Sequence, residues 1–561
     1  MIDSANTKIL ASASASNDAA AIRSTSSFKT TNVNQEIPDT SSAASSGDAC
    51  ATDFDFIVCG AGTAGSVVAG RLAENPEVRV LLIEAGTDDE HPHILEPGNW
   101  PLNLGSERDW NFAGAPNPHV NNRQIPLNMG RALGGGSSVN VMLWARGHKN
   151  DWEDFAEESG NPAWNYESVL GIYRRVEDYV GTPDATRRGV GGPVHIAPAR
   201  DAQPIANAMI SAAGLLGVPT FDNPNGEMME GRGGAALNDL IVKEGRRNSI
   251  YRAYVHPRRG QPNLTVLTNT LVSRLVFQGK RVIGVEAVRN GQSVRFGARS
   301  EVVLSLGAVN TPKVLMQSGV GPEEELGRHG IKVIQHLPGV GANHQDHVSF
   351  AVIFEYESPQ PVGYGGSEAT LYWSSQSALR LPDMFHCQVE FPVPSAENAT
   401  LGVPAHGWTM FAGLAHPQSR GQITLSGAKV TDAPIIQANT LSHPADLRGA
   451  LENIRFVQEL GAQAPFKGLV KGERLPGKMD RISLENYARN AAVTYWHQSC
   501  TAKMGRDPMS VVDGQLRVYG LQGLRIADAS IMPHVTSGNT MAPCVVIGER
   551  AVEEIRASHG I

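Results

Sequence analysis

The sequence predicts a mixed α/β protein, and three observations support this prediction. The chain has 561 residues, which is more than one hydrophobic core usually supports. A short apolar run, a glycine turn and a segment with helical spacing follow one another from residue 54. The 59 glycines and 34 prolines indicate many tight turns and ordered loops. We therefore expect two domains or one elaborated domain.

The composition excludes several classes of protein. The chain has 48 basic and 56 acidic residues and a net charge of −8, which argues against nucleic acid as a partner because phosphate binding needs clustered basic side chains. The five cysteines are scattered and lack metal-type spacing, so we expect neither a disulfide scaffold nor a metal site. We see no apolar run near the roughly 20 residues that a membrane helix needs, and we predict a cytoplasmic protein.

The first segment of the chain, residues 1–52, is predicted to be a disordered N-terminal tail. It is rich in Ser, Ala, Thr, Asn and Asp and has almost no large apolar side chains, so burial cannot offset its ordering entropy. It lacks the continuous apolar stretch of a secretory signal, and acids such as Asp3, Asp18, Glu36 and Asp39 argue against a mitochondrial presequence. A leader of another kind stays open.

The first ordered element is a predicted strand at 54–59 that ends in the glycine turn GAGTAG at 60–65. Residues 66–75 carry apolar side chains at helical spacing, and a second apolar run at 78–83 is closed by Glu84. This order of a strand, a glycine turn, a helix, a second strand and an acid predicts a dinucleotide-binding unit.

The glycines of this unit have separate tasks. Gly60 permits a sharp exit from the strand, Gly62 lets a pyrophosphate approach the backbone, and Gly65 lets the helix pack close to the sheet. Glu84 lies 22 residues after Gly62, where an acid meets ribose hydroxyls. The predicted contact set also includes Thr63, Ala64 and Ala85. The motif alone does not distinguish NAD from FAD.

A second glycine segment, RALGGGSSVNVM at 131–142, is predicted to be a ligand-facing loop. Its three adjacent glycines can lie flat against a ligand, and the hydroxyls and amide that follow can bond to it. A flexible linker is the alternative. The candidate contacts here are Arg131, Leu133, Gly135, Ser138, Asn140, Val141 and Met142.

Several separated motifs together resemble the glucose–methanol–choline (GMC) family of flavin-dependent oxidoreductases. The likeness begins at Gly60, runs through the loop at 131–140, and extends from residue 53 to the end of the chain. The other motifs are DWNF at 109–112, GRRNS at 245–249, GAVNTP at 307–312, QSGVG at 317–321, PGVG at 338–341, QDH at 345–347, GLRIADAS at 523–530 and TSGNTMAP at 536–543.

The resemblance implies FAD rather than NAD as the cofactor. It also implies a discontinuous, Rossmann-like FAD domain and a substrate domain that is inserted between the parts of the FAD domain. The substrate domain would be built on an antiparallel sheet with helices. On this chain the FAD domain would take residues 53–155, 240–345 and 505–561, and the substrate domain would take residues 156–239 and 346–504.

The resemblance also implies further flavin contacts. Val272 would meet the adenine edge through its backbone, with an ordinary strand residue as the alternative. Asp528 would hold the ribityl or phosphate region, with a solvated turn acid as the alternative. Trp110, Ala529 and Thr540 complete the predicted set. Some family members have a flavin-linked histidine in the glycine–serine loop, where this chain has Val139, so we expect non-covalent FAD.

The chemistry of alcohol oxidation requires a base and a polar group for the substrate oxygen. TYWHQS at 494–499 resembles the segment with the family's catalytic histidine, so His497 is the candidate base, with hydride passing to N5 of the flavin. Asn539 matches the second active-site position and would bind the substrate oxygen. We interpret His344, His347 and His534 as structural, with His534 as a possible neighbour of the site.

The substrate is predicted from aromatic residues. Trp496 precedes the base and could contact the flavin or wall the pocket, and Trp373 and Phe391 could add aromatic surface, with ordinary strands as the alternative. The adjacent Trp-His pair resembles oxidases of hydroxymethyl groups on aromatic or furan rings, so we predict such a primary alcohol as substrate. Choline-like cations rank lower because Glu368 and Glu390 are the only hints of an acid-lined cage.

Three points stay open at the level of sequence. The sequence does not show whether the electrons pass to oxygen, to a quinone or to another carrier, and it does not show the oligomeric state. A hydroxynitrile lyase is a weaker alternative because Asn539 stands where lyases of this kind tend to have a second histidine. A light-driven decarboxylase and a flavin-binding protein without catalysis are weaker still.

Overall fold

The computed structural model describes residues 54–199 and 201–561, so the prediction for the N-terminal 52 residues lies outside the described part of the chain. Among these residues, no helix combines the length and the apolar composition that crossing a bilayer would need.

The first sheet is built around the strand Phe54–Cys59. This strand pairs in parallel with Val80–Ile83 on one side and with Gln292–Leu304 on the other. Leu264–Leu267 and Leu524–Ile526 extend the parallel sheet at its two edges. The strands are apolar and buried because helices and loops cover both faces. Their carboxyl ends lie along one edge, which is where open α/β sheets bind ligands.

The strand Gln292–Leu304 belongs to two layers. Its C-terminal half lies in the parallel sheet, and its N-terminal half pairs with Arg281–Arg289, which pairs in turn with Thr270–Gln278 in an antiparallel meander. The turn into Gln292 is made by Asn290 and Gly291, which both have positive φ, as a tight hairpin requires.

Two long helices pack side by side over this sheet. Thr63–Leu72 follows the glycine turn, and Met541–His559 closes the chain. Their close approach depends on Gly548, where a Cβ would stand 2.7 Å from the Cβ of Val67. The remaining described α-helices are Pro92–Leu95, Gly136–Val139, Lys149–Ser159, Tyr166–Val176, Pro204–Leu215, Ile250–Tyr254, Gly307–Gln317, Glu323–Arg328, Pro444–Gly461 and Arg481–Ala491.

The second large sheet is antiparallel. Its strands, in spatial order, are Val470–Leu475, Val348–Tyr356, Gly407–Leu414, Met384–Val389, Ala369–Trp373 and Gly233–Leu237, with Val493–Thr494 paired beside Val348–Tyr356. Short described strands are Phe112–Ala113, Pro126–Leu127, Leu143–Trp144, Glu177–Tyr179, Val194–Pro198, Asp239–Leu240, Val242–Lys243, Arg246–Arg247, Val320–Gly321, Gln335–His336, Gln422–Leu425 and Pro434–Gln437.

The two faces of this sheet have different neighbours because side chains alternate along a strand. On the strand Met384–Val389, His386 stacks on Phe456 of the helix Pro444–Gly461. Phe385 points to the opposite face and stacks on Tyr372 and Tyr495. The helices therefore cover one face, and the aromatic face is turned toward the first sheet.

The predicted fold class is confirmed: the chain is α/β with a Rossmann-like sheet and a second unit built on an antiparallel sheet with helices. The domain boundaries stay a prediction. Trp164, Tyr173 and Val194, from the segment assigned to the substrate domain, pack into the same apolar core as the first sheet.

Candidate active site

A cavity of about 720 Å³ lies between the two sheets, at the carboxyl ends of the parallel strands. Residues of both sheets and of the C-terminal segments line it. Most of the predicted contact residues line this cavity: Gly60, Gly62, Thr63, Ala64, Glu84, Ala85, Trp110, Gly135, Asn140, Val141, Val272, Trp496, His497, Asp528, Ala529, Asn539 and Thr540.

The glycine turn has the geometry that a phosphate-binding turn needs. Gly60 has φ +97°, and a Cβ there would stand 2.3 Å from the carbonyl oxygen of Ser305. A Cβ on Gly62 would meet no protein atom within 4 Å, so its backbone is open to the cavity. The helix Thr63–Leu72 has no side-chain cap and no acid in its first turn. Its first N–H groups are thus free to meet an anion.

Glu84 is held by the turn itself. Its Oε2 accepts a hydrogen bond from the N–H of Ala61 at 3.0 Å, and its Oε1 accepts one from the N–H of Gly86 at 2.8 Å. Burial raises the pKa of the Glu84 carboxyl to about 7, against the opposing effect of these backbone donors. The side chain lines the cavity with lone pairs to spare for a hydroxyl donor.

Asp528 supports the cavity at the end of the strand Leu524–Ile526. One oxygen accepts hydrogen bonds from the Gly307 N–H at 3.0 Å and the Thr311 hydroxyl at 2.6 Å, and the other accepts one from the Ser530 N–H at 2.8 Å. Burial raises the pKa of its carboxyl. Asp528 is therefore a buried acid held by donors, and the alternative of a solvated turn acid is wrong.

The glycine–serine loop lies directly against the glycine turn. Gly135 has φ +51°, and a Cβ there would stand 2.8 Å from the Cα of Gly62. The Ser138 hydroxyl donates to the carbonyl of Leu133 at 2.6 Å, which locks the loop. Val139 lines the cavity with a side chain that has no nucleophilic atom. The linker alternative is wrong because the loop is a packed wall of the cavity.

Five predicted flavin contacts lie outside the cavity lining and support the loops from behind: Gly65, Arg131, Leu133, Ser138 and Met142. A Cβ on Gly65 would stand 1.9 Å from the carbonyl oxygen of Gly60, so this glycine serves helix packing. The Arg131 guanidinium stacks 5.1 Å from the centre of the Trp110 ring, and Trp110 itself lines the cavity. Leu133, Ser138 and Met142 are fully buried.

Two predicted substrate-pocket residues also lie outside the cavity lining. On the strand Ala369–Trp373, Tyr372 points toward Asn539, so the next residue, Trp373, points to the opposite face, where its ring meets Arg232 at 4.3 Å. Phe391 packs beneath Gly366. The cavity wall on this sheet is formed instead by Cys387, Val389 and Phe411.

His497 and Asn539 meet at the cavity wall. The Asn539 Nδ2 lies 3.3 Å from the His497 Nε2, although 42 residues separate them in the chain. His497 stacks on Tyr495, with ring centres 5.9 Å apart, and is 7% exposed. Burial lowers the pKa of its imidazole to about 3, so the ring is neutral at physiological pH.

His347 stands behind His497, although the sequence suggested only a structural loop residue. Its Nδ1 lies 2.8 Å from the His497 Nδ1, with the two rings perpendicular. Burial, and next the neighbouring His497, lower the pKa of the His347 imidazole well below its ordinary value, while the backbone groups of Ala415 and Thr536 oppose this shift. The motif QDH at 345–347 marked this segment but not its contact with the candidate base.

Asp346 fixes the backbone around the candidate base. Its Oδ1 accepts the His497 N–H at 2.9 Å, and its Oδ2 accepts the Gln498 side-chain amide at 3.1 Å and the Thr494 hydroxyl. Burial raises the pKa of the Asp346 carboxyl to about 7. Trp496 sits in this segment with φ +61°, a left-handed conformation that turns its ring into the cavity.

The Trp496 ring is also held from outside its segment. Its Nε1 donates to the Asn128 Oδ1 at 3.3 Å, and its ring meets Trp100 edge to face with centres 6.5 Å apart. Asn128 and Trp100 line the cavity and were not predicted as site residues. The sequence carries no signal for them, because both lie far from residue 496 in the chain.

Comparisons with known proteins agree with this architecture. Residues 54–349 and 417–548 match the N-terminal and C-terminal models of the GMC oxidoreductase family. The chain is similar to the oxygen-dependent choline dehydrogenase of Stenotrophomonas maltophilia, with 36% identity over 90% of this chain and 95% of the relative.

Solved structures agree as well. Pyridoxine 4-oxidase from Mesorbium loti is 30% identical with a TM-score of 0.86, over 90% of this chain and all of the other. A fungal aryl-alcohol oxidase, 22% identical with a TM-score of 0.77 over 91% of this chain and all of the other, shares the fold. The chain therefore belongs to the GMC oxidoreductase family and is an FAD-dependent alcohol oxidase or dehydrogenase.

Proposed function

We propose that the chain oxidises a primary alcohol to the aldehyde in the cytoplasm, with His497 as the base and Asn539 as the group that binds the substrate oxygen. The observation that carries this proposal is the 3.3 Å approach of the Asn539 Nδ2 to the His497 Nε2 at the cavity wall. A hydroxyl oxygen placed between the two groups would face one acceptor and one donor.

The hydrogen bonds support one tautomer of His497. Since Asn539 Nδ2 is a donor, the His497 Nε2 is the acceptor, and the proton of the neutral ring then lies on Nδ1. This Nδ1–H donates to the His347 Nδ1 at 2.8 Å, so the proton of the neutral His347 ring lies on Nε2. The Nε2 lone pair of His497 thus points toward the substrate side.

The residues then act as follows. His497 takes the hydroxyl proton at Nε2, and the resulting positive ring is stabilised by its donation to His347. Asn539 donates to the oxygen as negative charge develops there. The Tyr372 hydroxyl lies 3.4 Å from the Asn539 Oδ1, which favours the amide orientation with Nδ2 toward the substrate. FAD, when bound, supplies the acceptor of the hydride, at N5 of its ring.

The cavity residues fit non-covalent FAD. The open backbone of Gly62 and the uncapped start of the helix Thr63–Leu72 would hold the pyrophosphate, and Glu84 a ribose hydroxyl. Val272 lines the cavity and would meet the adenine edge. Val139 offers no atom for a covalent link to the flavin.

The cavity wall supports a neutral, ring-bearing substrate. Cys387, Val389 and Phe411 form an uncharged surface on the second sheet, and Trp496 adds an aromatic face. Pyridoxine 4-oxidase, a similar structure, is named for a heteroaromatic alcohol. We therefore rank aromatic and heteroaromatic hydroxymethyl compounds first.

A choline-like cation is the second candidate, because several similar proteins are named choline dehydrogenases. Among the described residues that line the cavity, the carboxylates are Glu84, Asp109 and Asp528. Glu84 accepts a hydrogen bond from the glycine turn, and Asp528 accepts hydrogen bonds from Gly307 and Thr311. Asp109 accepts four hydrogen bonds, from the N–H groups of Gly105, Asn111 and Met129 and from the Asn128 side-chain amide.

Glu368 and Glu390, the two acids considered for a cation cage, are buried together outside the cavity lining. Glu390 accepts the Gly363 N–H at 2.6 Å, and Glu368 accepts the Gln203 N–H at 2.6 Å. Burial, and next the neighbouring Glu368, raise the pKa of the Glu390 carboxyl to about 8, so Glu390 is mostly protonated at neutral pH. This pairing weakens the case for a trimethylammonium site.

The decisive experiment is anaerobic flavin reduction by a panel of benzylic, furanic, pyridine-type, aliphatic and choline-like alcohols. We expect His497→Ala to keep FAD and to lower the reduction rate by at least about 100-fold. His386→Ala is the matched control, because it removes a buried histidine from the opposite face of the second sheet. Reduction of His497→Ala at the parental rate would refute the assignment.

Two further readouts separate the alternatives. Hydrogen peroxide formed in air distinguishes an oxidase from a dehydrogenase that uses a quinone or other acceptor. A hydroxynitrile lyase keeps its flavin oxidised, so bleaching of the flavin absorbance by an alcohol excludes that class.

A further inference from the structure

A second group of polar side chains lies behind the turn that carries Asn539. One carboxylate oxygen of Asp151 and one ring nitrogen each of His416 and His534 lie within 4.8 Å of one another. Asp151 stands in the first turn of the helix Lys149–Ser159, His416 follows the strand Gly407–Leu414, and His534 precedes Asn539 by five residues. The three groups therefore join three distant parts of the chain.

Asp151 is oriented by its backbone neighbours. Its Oδ2 accepts the N–H groups of His148 at 2.8 Å and Ser537 at 2.7 Å. Its Oδ1 is thereby turned toward the cluster, where it lies 3.0 Å from the Ser537 hydroxyl and 3.7 Å from the His416 Nε2. Such support of a carboxylate by outer hydrogen bonds is typical of metal ligands.

His534 is oriented in the same way. Its Nδ1 lies 3.2 Å from the carbonyl oxygen of Val535, to which it can donate. Its Nε2 is buried and has no hydrogen-bond partner among the described residues, and the nearest carboxylate of Asp154 is 3.9 Å away. A histidine that donates one N–H to a carbonyl and leaves the other nitrogen free is prepared to bind a metal.

The charges also favour a cation. Asp151 is fully buried, and the His416 ring lies beside it. Among the described residues, the Asp151 carboxylate has hydrogen-bond donors but no Lys or Arg as an ion-pair partner, and a divalent ion would supply the positive charge.

The donor atoms suit a first-row transition metal better than calcium. Bonds of about 2.0 to 2.2 Å in a tetrahedron place ligand atoms about 3.3 to 3.6 Å apart. The His416 Nε2 lies 3.7 Å from the Asp151 Oδ1, and one donor atom of each of the three residues lies within 4.8 Å of the others. The Ser537 hydroxyl lies between the first two, 2.7 Å from the His416 Nε2 and 3.0 Å from the Asp151 Oδ1, and an ion would displace this hydrogen bond to His416. Two nitrogen donors favour zinc over calcium or magnesium, which prefer oxygen.

We propose that Asp151, His416 and His534 form a binding site for a divalent transition-metal ion of the zinc type, with Ser537 beside it. A bound ion would tie the helix Lys149–Ser159 to the turn that holds Asn539. The site shares no ligand with the alcohol-oxidation site, so its test does not depend on catalysis.

The test is metal binding to the full-length FAD-bound protein without an affinity tag. Calorimetric titration with ZnSO₄ and the visible spectrum with CoCl₂ are measured for the parent chain and for His534→Ala, His416→Ala and His195→Ala. His195→Ala is the matched control, because His195 is exposed to a similar degree as His534 and lies near an aspartate, Asp178.

We expect one ion per chain in the parent and in His195→Ala, with strong tetrahedral cobalt bands. His534→Ala and His416→Ala should weaken binding at least about tenfold while keeping FAD. His534→Ala removes a partly exposed side chain and is the variant that keeps the fold. Failure of the parent to bind zinc at 100-fold excess, or unchanged binding in His534→Ala, would overturn the proposal.

Discussion

The contact between His347 and His497 predicts a measurable loss of rate when His347 is replaced. His347→Phe fills the buried space with an apolar ring and removes the acceptor of the His497 Nδ1–H, which lies 2.8 Å away. His347→Asn keeps an acceptor oxygen near the same position. The two variants therefore differ chiefly in the hydrogen bond that sets the tautomer of the base.

The size of the effect follows from the burial of His497. A buried donor left without a partner costs about 1 to 3 kcal/mol. The bond strengthens when the ring gains a proton, because it is then donated by a positive group, so most of the loss appears in the transition state. At 1.36 kcal/mol for each factor of ten, we expect His347→Phe to reduce the flavin-reduction rate about 5- to 150-fold.

Anaerobic stopped-flow measurement of flavin bleaching gives the limiting rate and the substrate dissociation constant separately. The rate should fall in His347→Phe and recover in part in His347→Asn, with the dissociation constant and FAD content nearly unchanged. His386→Phe, on the opposite face of the same sheet, controls for loss of a buried histidine. A limiting rate in His347→Phe within twofold of the parent would show that the contact does not position the base.

Three further outcomes are expected. Because the pKa of Glu390 is raised from 4.5 to about 8 by burial and then by Glu368, its proton stabilises the folded state fully below pH 4.5, and this contribution is lost as the pH rises to 8. Glu390→Gln should therefore flatten the pH profile of the melting temperature and have a higher melting temperature than the parent at pH 9, and an unchanged profile would contradict this. Gly62→Val should weaken FAD binding at least tenfold without destabilising the apoprotein, because a Cβ there would meet no protein atom within 4 Å. Gly65→Ala should lower the free energy of unfolding by about 3 kcal/mol or more, because its Cβ would stand 1.9 Å from a carbonyl oxygen. Urea titration with and without FAD distinguishes the two effects. Cys387→Leu should weaken binding of ring-bearing alcohols by about 1 to 3 kcal/mol and leave small alcohols unaffected, as substrate titrations of flavin bleaching would show.

The local pattern was enough to predict the dinucleotide unit, because its chemistry is contained in about 30 consecutive residues. Gly60 and Gly62 lie in the turn after the first strand and Gly65 in the helix that follows, while Glu84 comes directly after the second strand and accepts the N–H of Ala61. The approach of His497 to Asn539 followed from resemblance, and the structure places the two side chains 3.3 Å apart. Spacing along the chain does not predict such a contact, since 42 residues separate them.

Of the three predicted aromatic pocket residues, Trp496 lines the cavity, and Trp373 and Phe391 lie outside its lining. The composition of a strand does not show which face meets a ligand, and a shift of one residue reverses the assignment. Trp373 and Tyr372 are neighbours, yet only Tyr372 points toward Asn539. Cys387 and Val389, less conspicuous in the sequence, line the cavity because they alternate with the helix-facing His386.

The location of the site between two sheets separates chemistry from recognition. His497 and Asn539 come from segments that contact the first sheet. The residues after His497 form hydrogen bonds with the 529–531 turn, and Asn539 lies two residues before the helix Met541–His559. The facing wall is made by alternate side chains of the strands Met384–Val389 and Gly407–Leu414. Changes at those alternate positions can alter the shape of the pocket while leaving the distance between base and amide unchanged. In this architecture the substrate range can therefore vary from one family member to another without any change in the groups that handle the proton.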